Sequence, residues 1–463
     1  MTDATSIRIL LVEDSGMVRT MVTNQLKAAG YTNVTTARDG QDAIAQLRHK
    51  GAPDVILCDW NMPNMNGYDF LLWLRADPTF KNVPFFMVTA QSDKRQTARA
   101  LEAGAHGLLP KPFSAEELTA KLKQVLGGGR DTMDTPTGRR VMEYAPDGRV
   151  RLAVAYTQSI DHLTLGALQH CIEQGIETPR TFELAPRYME SWNEVQDAIE
   201  HERVDGAYLL PPMAMDLFGY GVPLRLVLLG GRGGGHFVSN RVWAGVKWAS
   251  AKEYFMYKVV CIPHKMSLEN MLAHKYLTEQ GLRPGVPGTR LINVRFEVVP
   301  PIKMPQFMAL HENVAGFVSA DPIASMAVVS EIAQPMIHTS SLWPNHPAGV
   351  LVMRDECVEG CPEVVQELVA MLVRAGGWIM DNPDEAAEMA VAFLDPHRRL
   401  RLNAPVMKKA LTDPQGISFA DLTPAVADLD AIQRYMAEHM DTGEPVDMDR
   451  LVDTTFAMDA HEN

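Results

Sequence analysis

The chain has 463 residues, of which 46% are apolar and 22% charged. That length gives roughly two to four domains with ample material for packed cores, and the apolar content excludes wholesale disorder. A net charge of −14 makes DNA and RNA poor partners, and no apolar run approaches the ~18 residues that a membrane span needs.

Ile7–Val12 is apolar apart from Arg8 and reads as a strand buried on both faces, not as a signal peptide, so a cytoplasmic protein is expected. Ser15 caps a helix with Met17, Met21, Val22 and Leu26 at helical spacing, and Gly30 ends it. Val55–Cys58, Phe85–Val88 and Gly107–Leu109 are later strands, each followed by a polar turn. The alternation over residues 1–127 predicts an α/β domain with a doubly wound, five-stranded parallel sheet of flavodoxin-like type. Residues 128–147 read as a linker, because GGGRDTMDTPTGRR at 127–140 cannot build a core. Residues 1–127 carry 14 Lys and Arg against 13 Asp and Glu, so the acidity lies in residues 128–463.

The second half opens on the strand Val150–Tyr156. Gly206–Leu210, Arg225–Leu229, Lys258–Ile262, Arg295–Val299, Gly316–Ser319 and Leu351–Met353 are further strands, and Glu363–Ala375 is a long helix that continues to Met380. Residues 401–463 read as a helical, acidic extension with a polar tail from about Asp441. Five scattered cysteines give no disulfide framework, and Cys357 with Cys361 lacks the second pair that zinc would need. The abundant methionines read as core filler.

Glu13 and Asp14 follow the first strand, Asp59 a later one, Thr89 the next, and Lys111 precedes Pro112, all at strand C-terminal ends where open α/β sheets place their sites. Carboxylates converging there repel each other unless a cation sits among them, and Mg²⁺ suits hard oxygen donors. An Asp carboxylate can attack a phosphoryl group, with a lysine and a hydroxyl neutralising the transferred charge. With CDWNMPNMNG around Asp59, VTA around Thr89 and KPF at Lys111, residues 1–127 resemble the receiver domain of two-component response regulators. The resemblance implies Asp59 as phosphoacceptor, Glu13, Asp14, Asp59 and the Asn61 carbonyl as Mg²⁺ ligands, and Thr89 and Lys111 at the phosphoryl group. It also implies a histidine kinase as partner. Leu108 stands where receivers usually carry an aromatic residue of the output switch.

Four strand-to-helix junctions, YTQSIDHL from Tyr156, LLPPMAM from Leu209, IPHKMSLEN from Ile262 and SADP from Ser319, would turn polar groups and helix N–H groups toward a crevice. The run GGRGGGHFVSN from Gly230 would let backbone approach a ligand closely, and it matches no nucleotide-binding spacing. With HFVSNRVW, HKYLTEQGL, VVPP at Val298–Pro301 and GFVSADPIA from Gly316, residues 148–400 resemble the nitrate/sulfonate/taurine-type solute-binding proteins of ABC transporters. The implied fold is two α/β lobes, about 148–240 with 340–400 and about 241–339, closing on a small, anionic molecule. The candidate contacts are Tyr156, His162, His236, His264, Ser267 and Asp321, with Lys265 beside them. Each has a plainer role open to it: His162 as part of a helix cap, His236 as a structural loop residue, Lys265 as solvent-facing, Asp321 as a turn former. Two departures speak against nitrate itself: Glu269 or a neighbour stands where nitrate-type members carry a histidine, and Asp321-Pro322-Ile323 replaces their Glu-Pro-Trp.

The expected function is a phosphorylated regulator joined to a metabolite sensor, with a downstream protein target and no enzymatic role beyond the receiver's own phosphoryl chemistry. Two alternatives stay open, a ligand-free protein-docking module and an enzyme of the thiamine-pyrimidine-synthase-like branch. The second lacks the Cys-rich motif of that branch.

Overall fold

The computed structural model describes residues 7–60, 62–77, 79–81, 83–89, 100, 103–110, 142–287, 289, 291–398, 400 and 402–462, and the chain forms two compact units.

In the first unit, Ile9–Val12 (β1), Val34–Ala37 (β2), Val55–Asp59 (β3), Phe85–Thr89 (β4) and Gly107–Pro110 (β5) form one sheet in the order β2-β1-β3-β4-β5. Every pairing is parallel. The central strands β1 and β3 are buried along their whole length, as a sheet covered on both faces requires. Ser15 caps Gly16–Ala28 by accepting from the Val18 N–H. Alternate strand residues feed two apolar layers, one around Phe70, Phe85 and Leu74, the other around Leu11, Val22 and Leu57.

The second unit has two large sheets and a two-stranded one. Val150–Tyr156 (β6), Phe182–Tyr188 (β7), Gly206–Leu209 (β8) and Leu224–Leu229 (β9) begin the first lobe. The chain then passes through Arg232–Gly233 (β10) into the second lobe, formed by Gly235–Asn240 (β11), Val259–Ile262 (β12), Pro284–Gly285 (β13), Val294–Val298 (β14), Val314–Ala320 (β15) and Ala333–His338 (β16). It returns as Val350–Arg354 (β17), which pairs antiparallel with β8 and β9. The sheet orders are β7-β6-β8-β17-β9 and β13-β14-β12-β15-β11-β16. β11 thus belongs to the second lobe, and the expected first-lobe limit of residue 240 moves back to the glycine-rich crossover.

The two crossovers pair with each other. Gly230 N–H donates to Gly349 O (2.8 Å), Ala348 N–H to Gly231 O (2.9 Å) and Gly233 N–H to His346 O (2.9 Å). Ile417–Ser418 (β18) adds antiparallel to β10 on this hinge ribbon. Arg232 fastens it, donating to the carbonyls of Asn345, Asp421 and Thr423. The glycine run is therefore part of a hinge as well as of the cleft wall.

The C-terminal segment corrects another expectation. Beyond Asp441 the chain is no polar tail: Leu451, Val452, Phe456 and Ala457 are buried, and Thr455–Glu462 packs on Pro362–Asp381. The helix Val426–Met440 touches Pro211–Gly219 of one lobe and Leu268–Glu279 of the other. Leu451 is fully buried, so Leu451→Ala should cost about 2–5 kcal/mol, read as an earlier urea transition of the second unit. Of the expected linker 128–147, residues 128–141 lie outside the described residues. Residues 142–147 fold back onto β6, with Tyr144 bridged to Val150.

Candidate functional site

In the first unit, β1 and β3 run parallel side by side and deliver Glu13, Asp14 and Asp59 to one sheet edge. One ligand oxygen of each lies within 4.8 Å of the others, with Glu13 and Asp59 buried and Asp14 half-buried. The Glu13-Asp14 turn is held from below, where Arg19 Nη1 donates to Glu13 O (2.6 Å) and Ser15 N–H donates to Glu13 Oε1 (3.1 Å). Gly67 lies over the Asp59 carbonyl, where a Cβ would overlap it, and its N–H closes the loop onto Trp60 O (2.9 Å). Three hard oxygen donors this close fit Mg²⁺. Asn61, Lys111 and the side chains of Thr89 and Leu108 lie outside the described residues, although Thr89 ends β4 beside the Asp59 strand. Asp14→Ala should weaken Mg²⁺ binding roughly 10-fold or more, since even outer-shell partners of a metal are worth about that much. A fluorescence titration with unchanged affinity would remove Asp14 from the site.

In the second unit, a cavity of about 20 Å³, room for about one water, lies between the lobes against the hinge ribbon. Ser159 and Asp161 line it from the first lobe, Leu268, Glu269 and Ala320 from the second, and Thr339, His346 and Ala348 from the returning crossover. The lobes meet directly beside it, where Ile160 N–H donates to Asp321 O (3.1 Å). Asp161 is buried and accepts from Ser159 Oγ. Glu269 sits in the first turn of Leu268–Glu279, and its Oε2 is buried without a hydrogen-bond partner. Burial and the nearby Asp161 charge push its carboxyl up to about 7, against partial relief from its own N–H and Ser267. His346 accepts or donates at Thr339 Oγ1 (2.8 Å), and burial holds its imidazole below the ordinary histidine value.

None of the six sequence candidates lines the cavity. Tyr156 is stacked on Phe393 with ring centroids 4.2 Å apart. His162 is fully buried between Trp192 and Tyr208, with Nδ1 on the Thr157 backbone. Ser267 caps its helix through Asn270 N–H (3.1 Å), and His264 Nδ1 accepts from Met266 N–H (3.0 Å). His236 Nε2 and Asp321 Oδ2 pair at 2.9 Å, and Asp321 Oδ1 accepts from Ser325 N–H (3.1 Å). Four of the residues that do line the cavity are chain neighbours of a candidate: Asp161, Gly235, Leu268 and Ala320. Thr339 and His346 carried no sequence signal, because the returning crossover holds no motif. The expected anionic ligand would face two carboxylates, with no Lys or Arg among the lining residues.

Comparison with known proteins agrees with both halves. Residues 9–123 match the response regulator receiver domain, and residues 150–394 match the NMT1-like family. Chemotaxis protein CheY of Pseudomonas aeruginosa is 40% identical over 119 residues, which are 26% of this chain and 95% of that protein. CheY-3 of Vibrio cholerae is 39% identical over 120 residues, 26% of this chain and 92% of its own. The periplasmic nitrate-binding protein of Synechocystis PCC 6803 aligns over 70% of this chain and 90% of its own, with TM-score 0.58 and 16% identity. The zinc-bound ligand-binding component of an ABC-type import system from Staphylococcus aureus aligns over 67% and 98%, with TM-score 0.57 and 18% identity. At those identities the shared property is the two-lobed fold.

Proposed function

Since the chain belongs to the NMT1-like family and carries a response regulator receiver domain, we propose that it is a cytoplasmic two-component regulator whose phosphorylation at Asp59 is linked to ligand capture in the second unit. The observation that carries this reading is the presence, in one chain, of a three-carboxylate sheet edge and a two-lobed cleft closed at its hinge. Among the described residues no helix is long and apolar enough to cross a membrane.

In this reading the Asp59 carboxylate attacks the phosphorus of a phosphohistidine on the kinase. The new O–P bond forms as the N–P bond breaks, and the histidine leaves as the neutral imidazole after protonation. Glu13, Asp14 and Asp59, with the Asn61 carbonyl, would hold Mg²⁺, which supplies charge neutralisation on the transferring group. Thr89 and Lys111 are assigned to the phosphoryl oxygens on the receiver resemblance. The second unit binds a small molecule and has no catalytic role, a reading supported by its binding-protein neighbours. The docking-module alternative is favoured by the small size of the cavity.

Phosphorylation and lobe closure are each two-state changes, so any linkage between them is reciprocal. A thermal-shift screen of the full chain against metabolites tests the binding role. A ligand that binds the native state raises the melting temperature by mass action, and failure of every compound to do so would favour the docking module.

A further inference from the structure

The cleft chemistry narrows the ligand, on the premise that the cleft is a binding site as proposed above. We infer that it selects a small protonated amine, whose ammonium group is received by Asp161 from one lobe and Glu269 from the other.

Four observations carry this. Two carboxylates from opposite lobes line one cavity, and no lysine or arginine is among its lining residues. Glu269 Oε2 is buried there and has no hydrogen-bond partner, an acceptor left for a donor that the chain does not supply. The N-terminus of Leu268–Glu279, which would otherwise attract an anion, is already occupied by the chain's own groups: Ser267 caps it and Glu269 lies in its first turn. Finally, the remaining lining mixes the uncharged polar groups of Ser159, Thr339 and His346 with the apolar side chains of Leu210, Leu268, Leu272, Ala320 and Ala348. That is the complement of an ammonium group, and an alkyl carbon beside it would need the lobes to part beyond the present ~20 Å³. Two carboxylates without a third oxygen-rich partner suit an N–H donor better than a hard metal ion, for which the receiver's three-carboxylate edge is the better match.

The arrangement also fixes a pH dependence. Glu269 faces Asp161 across the cleft, with His346 on the crossover and His264 and Lys265 just ahead of its own helix. Burial holds both histidines below their ordinary value, His264 at about 4. Below about pH 7 Glu269 carries a proton that the ammonium group must displace. Affinity should therefore rise with pH and level off above about 7, by about 10-fold per pH unit on the acid side.

Calorimetric titration of the full chain with methylammonium chloride tests this, with sodium chloride as the ionic-strength control and sodium nitrate and sodium methanesulfonate as the anion arm. We expect methylammonium binding with that pH slope, weakened at least 10-fold and made flat in pH by Glu269→Gln, while Glu269→Asp keeps the slope. Gln preserves the size of the side chain and the neutral form that burial favours, so circular dichroism of the variant should match wild type. Equal affinity and slope in wild type and Glu269→Gln would overturn the assignment. Binding of nitrate or methanesulfonate in place of methylammonium would overturn it too, yet leave the cleft reading standing. No binding in either arm would remove both.

Discussion

Asp59→Asn is expected to reduce phosphoryl incorporation from acetyl phosphate and Mg²⁺ to background. Asn keeps the shape of the side chain but loses the anionic oxygen that attacks phosphorus, and an amide is too weak a nucleophile to replace it. Asp59 sits at the buried end of β3, where Glu13 and Asp14 approach within 4.8 Å. Removing one of three clustered charges also relieves their mutual repulsion when no cation is present. The variant should therefore melt at the same temperature as wild type or higher in metal-free buffer. That separates loss of chemistry from loss of fold. Label retained by Asp59→Asn in intact-mass measurements would assign the phosphoacceptor elsewhere.

The second large effect is expected at a glycine of the hinge. A Cβ at Gly349 would overlap Asp161 Oδ2 and would stand 3.5 Å from the Leu209 carbonyl. Asp161 is buried, so its carboxylate cannot swing into solvent, and turning it aside breaks its bond from Ser159 Oγ. Losing a buried hydrogen bond to a charged group costs about 1.5–3 kcal/mol, equivalent to roughly 10-fold to more than 100-fold in an equilibrium that depends on it. Gly349→Ala should therefore lose cleft binding by at least 10-fold. Gly360→Ala, where nothing lies within 4 Å of the new Cβ, should bind as wild type does. Equal affinity in the two variants would mean that Asp161 does not contact the ligand.

How much of this was legible in the sequence differs between the halves for a physical reason. In the receiver the clustered carboxylates sit in short runs at strand ends, so a strand period followed by Glu13-Asp14 or Asp59 gives both the element and the candidate site. In the second unit the same logic pointed to junctions that border the cavity, but to side chains that do not line it. A strand-to-helix turn presents some residues to the cleft and turns others under it, and which is which depends on packing. His162 is drawn beneath by Trp192 and Tyr208, leaving Asp161 at the surface of the cavity. The hinge was invisible because Arg232–Gly233 and Ile417–Ser418 are two-residue ladders, too short for any hydrophobic period. The helices beyond Asp441 were read as a polar tail because Leu451, Phe456 and Ala457 are a few apolar residues among many acids, enough for one packed face but not for a visible stripe.

The central claim is that the phosphoryl state of Asp59 and the closure of the cleft belong to one equilibrium. Amide hydrogen exchange of the full chain, with Mg²⁺ alone and with Mg²⁺ plus beryllofluoride as the phosphoryl mimic, tests it without needing a ligand. The linked account predicts altered protection in residues 9–110 and also in the crossovers at 230–235 and 339–349, with both changes absent in Asp59→Asn. Changes confined to the receiver, with the crossovers exchanging at identical rates in both states, would contradict it.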